Sequence, residues 1–187
     1  MKASEPRKGT VLISYPSTNS GDTIFSRSVI LITEFNKEGA VGFILNKPLN
    51  IRISDLIPYI NMDFRIYKGG PVETDKVFFI HNVPHLIQDS TPITEDLFWG
   101  GDFEDLVRVL NDGLINENNV TFFLGYSGWD CDQLNNEIED EYWIVDNRKF
   151  QAKIFNQLQT ELWRNHLLEL GEEYAIWANA AESPELN

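Results

Sequence analysis

The sequence predicts a single domain that mixes helices with strands. Three observations predict it. First, Ser28–Phe35 and Ala40–Leu45 are nearly continuous apolar runs joined by Asn36-Lys37-Glu38-Gly39, which reads as a β-hairpin covered on both faces. Second, Phe103, Leu106, Val107 and Leu110 fall at i, i+3, i+4, i+7 and mark one face of an amphipathic helix. Third, the chain has 187 residues, 42% of them apolar, with 12 Phe, 6 Tyr and 5 Trp. A chain of that length buries about 70% of its unfolded surface and needs neither a disulfide nor a metal to stay folded.

The remaining elements follow in order. Residues 9–14 read as a strand, and the polar stretch 15–22 as a loop. Ser54 is placed to cap a short helix, Asp55–Ile57, which Pro58 stops. Arg65–Lys68 is a short strand that ends at Gly69-Gly70-Pro71, a strong turning signal. Val77–His81 is a further strand, and residues 82–94, with two prolines, form a loop. Asp102 caps the amphipathic helix and Asn111-Asp112-Gly113 ends it. Asn119–Leu124 is a strand, Gly125–Gly128 a glycine-bounded turn, and Asp130 the start of a second helix. Tyr142–Val145 is a strand. Ile154, Leu158 and Leu162 stripe a C-terminal helix that ends near Gly171, and Tyr174–Ala181 is a last helical segment. Residues 1–187 are read as one domain, with 1–8 and 182–187 as flexible ends.

Charge narrows the function. There are 29 Asp and Glu against 15 Lys and Arg, net −14, and the basic residues are scattered; Arg148, Lys149 and Lys153 are the nearest to a cluster. Neutralising phosphates needs grouped Lys and Arg, so direct DNA or RNA binding is disfavoured. One cysteine, Cys131, makes no internal disulfide and points to a reducing, cytoplasmic setting. The N-terminus has no apolar signal region, and no apolar run approaches a membrane span.

The densest motif is Gly125-Tyr126-Ser127-Gly128-Trp129-Asp130. A nucleophile elbow would make Ser127 reactive, but it needs glycine two residues either side, and Trp129 fills the second place. A phosphate cradle fails because Asp130 and Asp132 put negative charge where the anion would sit. A structural reading does better: Asp130 caps a helix with Gln133 at N3, and Trp129 is a packing anchor. His81 and His85 have a metal-like spacing, but Pro84 between them breaks the helix that would align them. His81 reads as a hydrogen-bonded structural histidine, and Cys131 as an ordinary thiol.

Taken together, several segments resemble the bacterial AlgH/YqgE family. They are Gly9–Pro16; Phe25 with Arg27-Ser28-Val29; Gly39–Gly42 leading to Asn46-Lys47-Pro48; Gly69-Gly70-Pro71-Val72; Gly125–Trp129 with Gln133-Leu134; and Leu162-Trp163-Arg164 with Tyr174-Ala175. The chain departs from the family pattern at Asp132, where glycine is usual, and at Asn135, where glutamate is usual. The resemblance implies an α+β fold with a curved mixed β-sheet, barrel-like at its extreme, flanked by helices. It implies no particular activity, although family members are often labelled transcriptional regulators.

No complete catalytic constellation is present. The leading expectation is therefore a non-enzymatic binding or regulatory module without a cofactor or metal, acting through a protein or small-molecule partner. The alternative is an enzyme or small-ligand binder whose pocket gathers Asn46, Gly70, His81, Tyr126 and Trp129, with Gly69, Ser127 and Gln133 beside them.

Overall fold

The computed structural model describes residues 5–16, 24–130, 132–148 and 161–179. Cys131, Lys149, Lys153, Ile154 and Leu158 lie outside these residues, so the expectations placed on them do too.

Ten strands form one branched sheet among the described residues: β1 Val11–Ser14, β2 Val29–Asn36, β3 Gly39–Ile44, β4 Pro48–Arg52, β5 Arg65–Lys68, β6 Val72–His81, β7 Thr91–Pro92, β8 Phe98–Trp99, β9 Val120–Asp130 and β10 Trp143–Asp146. The helices are α1 Ile53–Leu56, α2 Phe103–Asn111, α3 Gln133–Glu139, α4 Leu162–Leu170 and α5 Ala175–Ala178. The main path runs β10-β1-β2-β3-β9-β6-β8-β7, with β5 also paired to β9 and β4 to β5. The β5–β9 pair is parallel and every other pair antiparallel, so the sheet is mixed. It does not close. β10 and β7 stand at opposite ends of the path, and β7 and β8 are too short to carry the ladder round, so the barrel-like extreme is not reached.

The hairpin forms where expected, β2 facing β3 from Ile30↔Ile44 to Asn36↔Gly39. Its apolar runs are continuous because both faces are covered. Val29, Leu31 and Phe43 pack towards α4, against Leu162, Trp163 and Leu167. Ile30, Ile32 and Ile44 point the other way, towards Leu134 and Ile138 of α3. Further along that second face, Ile66, Phe79 and Phe122 lie under Leu106, Val109 and Leu110 of α2. Each fully buried aliphatic or aromatic side chain contributes about 1.5–3 kcal/mol, so these three clusters hold the layers together.

Asp102 caps α2, its carboxylate accepting from the Asp105 N–H at 2.8 Å. The helix turns slightly from the expected face, leaving Phe103 exposed and burying Val109. At α1 the residue before the helix is Arg52, not Ser54, and the Asp55 carboxylate accepts from the Arg52 N–H at 2.8 Å. α4 ends at Gly171 as expected. No helix of the described residues is long and apolar enough to cross a membrane.

The largest difference from expectation is β9. Gly125–Gly128 is not a turn: the strand runs on to Asp130, and its last residues pair with β3 from Ser127↔Gly42 to Asp130↔Gly39. Asp130 therefore ends a strand and does not begin a helix. Half of the expected capping box survives, since the Gln133 side-chain oxygen accepts from the Asp130 N–H at 3.1 Å.

Candidate functional site

The glycine motifs meet at one place because of topology. β5 lies along one side of β9 and β6 along the other, at Ile66↔Phe122 and Phe79↔Phe122. The connection between β5 and β6 is only Gly69-Gly70-Pro71, so it must pass across the backbone of β9. It does so at Gly125-Tyr126-Ser127, in backbone contact. A Cβ on Gly69 would lie 2.0 Å from the Gly125 carbonyl oxygen, and one on Gly70 would lie 2.2 Å from the Tyr126 carbonyl. No side chain fits there. Gly125 takes φ +70, and a Cβ there would meet the Val72 and Gly70 carbonyl oxygens at 2.7 and 2.9 Å.

Hydrogen bonds lock the crossing. The Gly69 N–H donates to the Leu124 carbonyl and the Ile44 N–H donates to the Gly69 carbonyl, each at 2.9 Å. The Ser127 hydroxyl, fully buried, donates to the same Gly69 carbonyl at 3.1 Å. Of the residues singled out in the sequence, Gly69, Gly70, Tyr126 and Ser127 come together here.

Asn46 lies next to the crossing, between Ile44, whose N–H bonds the Gly69 carbonyl, and Lys47, whose carbonyl accepts from the Lys68 N–H at 2.8 Å, and its side chain is taken up elsewhere. Asn46 is buried and bridges backbone: its carbonyl oxygen accepts from the Val29 N–H at 2.9 Å and its amide donates to the Arg27 carbonyl at 2.8 Å. His81 is fully buried near the far end of the β6–β9 ladder, stacked on Phe98. Its Nε2 lies 3.1 Å from the Gly100 carbonyl and its Nδ1 accepts from the Val83 N–H at 3.2 Å, which fixes the neutral tautomer protonated on Nε2. Burial pushes the His81 pKa down, against the opposing pull of the Gly100 carbonyl. His85 is exposed, so the pair is divided between core and surface. Among the described residues no group of three or more His, Cys, Asp or Glu is placed to hold a metal.

Trp129 and Gln133 belong to a third place. The Trp129 and Trp143 indole N–H groups both donate to Glu137 Oε2, at 2.8 and 2.7 Å, and the Gln133 amide donates to Oε1 at 2.8 Å. The two indoles meet edge to face, 6.0 Å between centroids. Trp129 is thus the packing anchor expected of it, 6% exposed. The five residues therefore gather only in part: Gly70 and Tyr126 touch with Asn46 beside them, while His81 lies at the other end of the β6–β9 ladder and Trp129 in a separate cluster. Asn46, His81 and Trp129 each make their own buried contacts, and Gly70 sits against Tyr126 as part of a backbone crossing.

An aromatic row leads away from the crossing. Tyr126 meets Phe78 at 5.6 Å between centroids, Phe78 meets Phe43 at 5.7 Å, Phe43 meets Phe123 at 5.0 Å, and Phe123 meets Tyr67 at 6.3 Å. Beyond it, at Tyr67, opens a cavity of about 220 Å³ lined by Arg52, Arg65, Glu117 and Thr121 among others. Sequence reasoning missed these residues because no motif holds them. The available signal was alternation: Arg65 and Tyr67 lie two apart on one strand, so they share a face.

Comparison with known proteins follows the same lines. The AlgH-like family model matches residues 11–175. A UPF0301 protein of Cytophaga hutchinsonii is 38% identical over 182 residues, covering 96% of this chain and 98% of its own. One from Bacteroides fragilis is 36% identical over 185 residues, covering 97% and 92%. Among solved structures, AlgH of Pseudomonas aeruginosa superposes with a TM-score of 0.72 at 25% identity, covering 97% of this chain and 98% of that one. Protein DIP2367 of Corynebacterium diphtheriae superposes at 0.74 with 21% identity, covering 96% and 95%, and shows the shared fold.

Proposed function

The chain belongs to the AlgH-like family, and we propose that it acts as a binding module rather than a catalyst. Any regulatory effect then runs through a protein or small-molecule partner in the cytoplasm. One observation carries this reading: the Ser127 hydroxyl, in the motif most like a nucleophile's, is fully buried and donates to a backbone carbonyl. A serine nucleophile needs a base to take its proton and an opening to its substrate. The Gly69 carbonyl is no such base. His81, the other candidate for proton transfer, is equally buried, with both ring nitrogens engaged by backbone. In this reading Asn46, Gly69, Gly70, His81, Ser127, Trp129 and Gln133 serve the fold, and Tyr126 opens the aromatic row that leads towards the cavity at Tyr67.

The test is chemical labelling. The folded protein is incubated with a fluorophosphonate probe, which modifies activated serines. The proposal expects no labelling; stoichiometric modification of Ser127 would overturn it. The net charge of −14 also supports a partner other than nucleic acid. Anisotropy titration with duplex DNA at physiological salt should give no saturable binding, and salt-sensitive micromolar affinity would contradict that part of the reading.

A further inference from the structure

We propose that the cavity beside Tyr67 is a binding site for a small oxyanion, a carboxylate or a phosphate, held between Arg52 and Arg65. The inference deepens the binding-module reading and rests on it.

The argument begins with register. Arg52 of β4 and Arg65 of β5 are direct cross-strand partners in an antiparallel pair. Side chains at such positions project from the same face at close range, and like charges there are destabilising. This chain has only 15 cationic residues against 29 acids, and two of them stand opposite each other on one short ladder. Their compensation within the protein is thin. Arg52 Nε lies 3.9 Å from the Asp63 carboxylate, at the outer limit of an ion pair, with both side chains well exposed. An exposed pair at that distance contributes little.

Both arginines line the 220 Å³ cavity, together with Tyr67 and Thr121. Two guanidinium forks present donors suited to the two oxygens of one oxyanion, the geometry in which arginine binds most strongly. The Tyr67 hydroxyl adds a donor: burial pushes its pKa up, with Glu117 acting the same way and Arg65 and Arg52 opposing. It therefore stays protonated at neutral pH. Glu117 also lines the cavity. Among the lining residues two guanidinium groups face one carboxylate, a small local positive charge that Asp63, outside the lining, offsets only weakly at 3.9 Å, which suits one oxyanion and opposes a polyanion such as nucleic acid. The volume admits a small molecule and no more.

The bland alternative is that the arginines guard an edge. Among the described residues β4 pairs only with β5, and charged residues on an edge strand discourage aggregation. That role needs no ligand and no particular neighbour, so the two readings separate cleanly.

The experiment is an NMR titration of the full chain with inorganic phosphate and, separately, with acetate and succinate, each against chloride at equal ionic strength. The expected result is saturable shifts at Arg52, Arg65, Tyr67 and Thr121 for at least one oxyanion and not for chloride. Phosphate and the carboxylates compete for the same shifts, and whichever binds tighter names the source. Arg65→Gln should weaken binding about tenfold, with Arg65→Lys falling between because it keeps the charge and loses the fork. Glu117→Gln should tighten it, a sign that an edge-guarding role does not predict. Non-saturating shifts, shifts equal to those from chloride, or binding unchanged in Arg65→Gln would overturn the site. Such a failure with Ser127 still unlabelled by the fluorophosphonate sinks this proposal alone, whereas a labelled Ser127 sinks the reading beneath it.

Discussion

The stretch Arg65–Val72 contains two regions under opposite constraints. At Gly69 and Gly70 the chain touches the backbone of β9 so closely that not even a methyl group fits. At Arg65 and Tyr67, on the strand just before, side chains point into a cavity open to solvent. The first region contains the recognisable motif and makes the fold; the second has no motif and offers the chemistry. A run of glycines beside a strand thus marks a geometric necessity here, and the groups able to meet a ligand stand next to it.

The largest effect that sharpens this contrast is at the crossing. Gly70→Ala places a methyl 2.2 Å from the Tyr126 carbonyl, and neither backbone can move without breaking the β5–β9 or β6–β9 ladder. We expect loss of roughly 3 kcal/mol or more, seen as a collapsed urea midpoint or failure to fold. Gly113→Ala is the control. Gly113 also has positive φ, +69, but a Cβ there meets nothing within 4 Å. Its cost should be about 1 kcal/mol, that of the backbone conformation alone. Equal losses at the two glycines would dissolve the distinction.

Next is the indole clamp. Trp129→Ala should cost about 3–5 kcal/mol as a buried tryptophan. Glu137→Ala removes the acceptor for two indole N–H groups and should cost roughly 2 kcal/mol. A double-mutant cycle checks this: the two losses must add to more than the loss in the double variant, because they share one hydrogen bond.

Smaller again is Ser127→Ala, about 1 kcal/mol for its hydroxyl bond to Gly69. Asp130→Ala should fall within about 0.5 kcal/mol, since Asp130 is exposed and its backbone, not its side chain, meets Gln133. Chemical denaturation ranks the two, and a larger loss at Asp130 would restore the helix cap that the sequence suggests.

The smallest effect is a slope. Burial holds the folded His81 pKa below its ordinary 6.5, so at pH values just under 6.5 the unfolded chain binds the proton and the folded one does not. The contribution to stability is full above pH 6.5 and declines as pH falls through that value. Urea midpoints at about pH 7.5 and 5.5 should drop less in His81→Gln than in the parent. An unchanged slope would mean that His81 titrates as if exposed.

Much of the fold was legible because local pattern and tertiary environment agreed. The β2–β3 hairpin and the Asp102 cap needed only periodicity and turn chemistry, and Arg65–Lys68 was bounded by its glycines. β9 was misread for a physical reason. Glycine usually signals a turn, but Gly125 is glycine so that another backbone can cross it, and that crossing is a long-range event invisible in local sequence. The short strands β7 and β8 were missed likewise: two residues carry no period, and only their pairing to β6 defines them. The structural roles read for Trp129 and His81 agree with their buried contacts. Of the expected pocket, Gly70, Tyr126 and the Asn46 segment come close while His81 and Trp129 stand apart, because convergence of distant residues is set by topology. Arg52 and Arg65 were overlooked because their meaning lies in the register that sets them opposite each other.

Native-state amide hydrogen exchange tests most directly whether the crossing is rigid core or an adaptable ligand loop. The Gly69 and Ile44 amides, each bonded across the crossing at 2.9 Å, are the reporters. The account predicts that both exchange only through global unfolding, as slowly as the central amides of β2 and β9. Exchange at Gly69 and Ile44 through a low-energy local opening, while β2 and β9 stay protected, would contradict it.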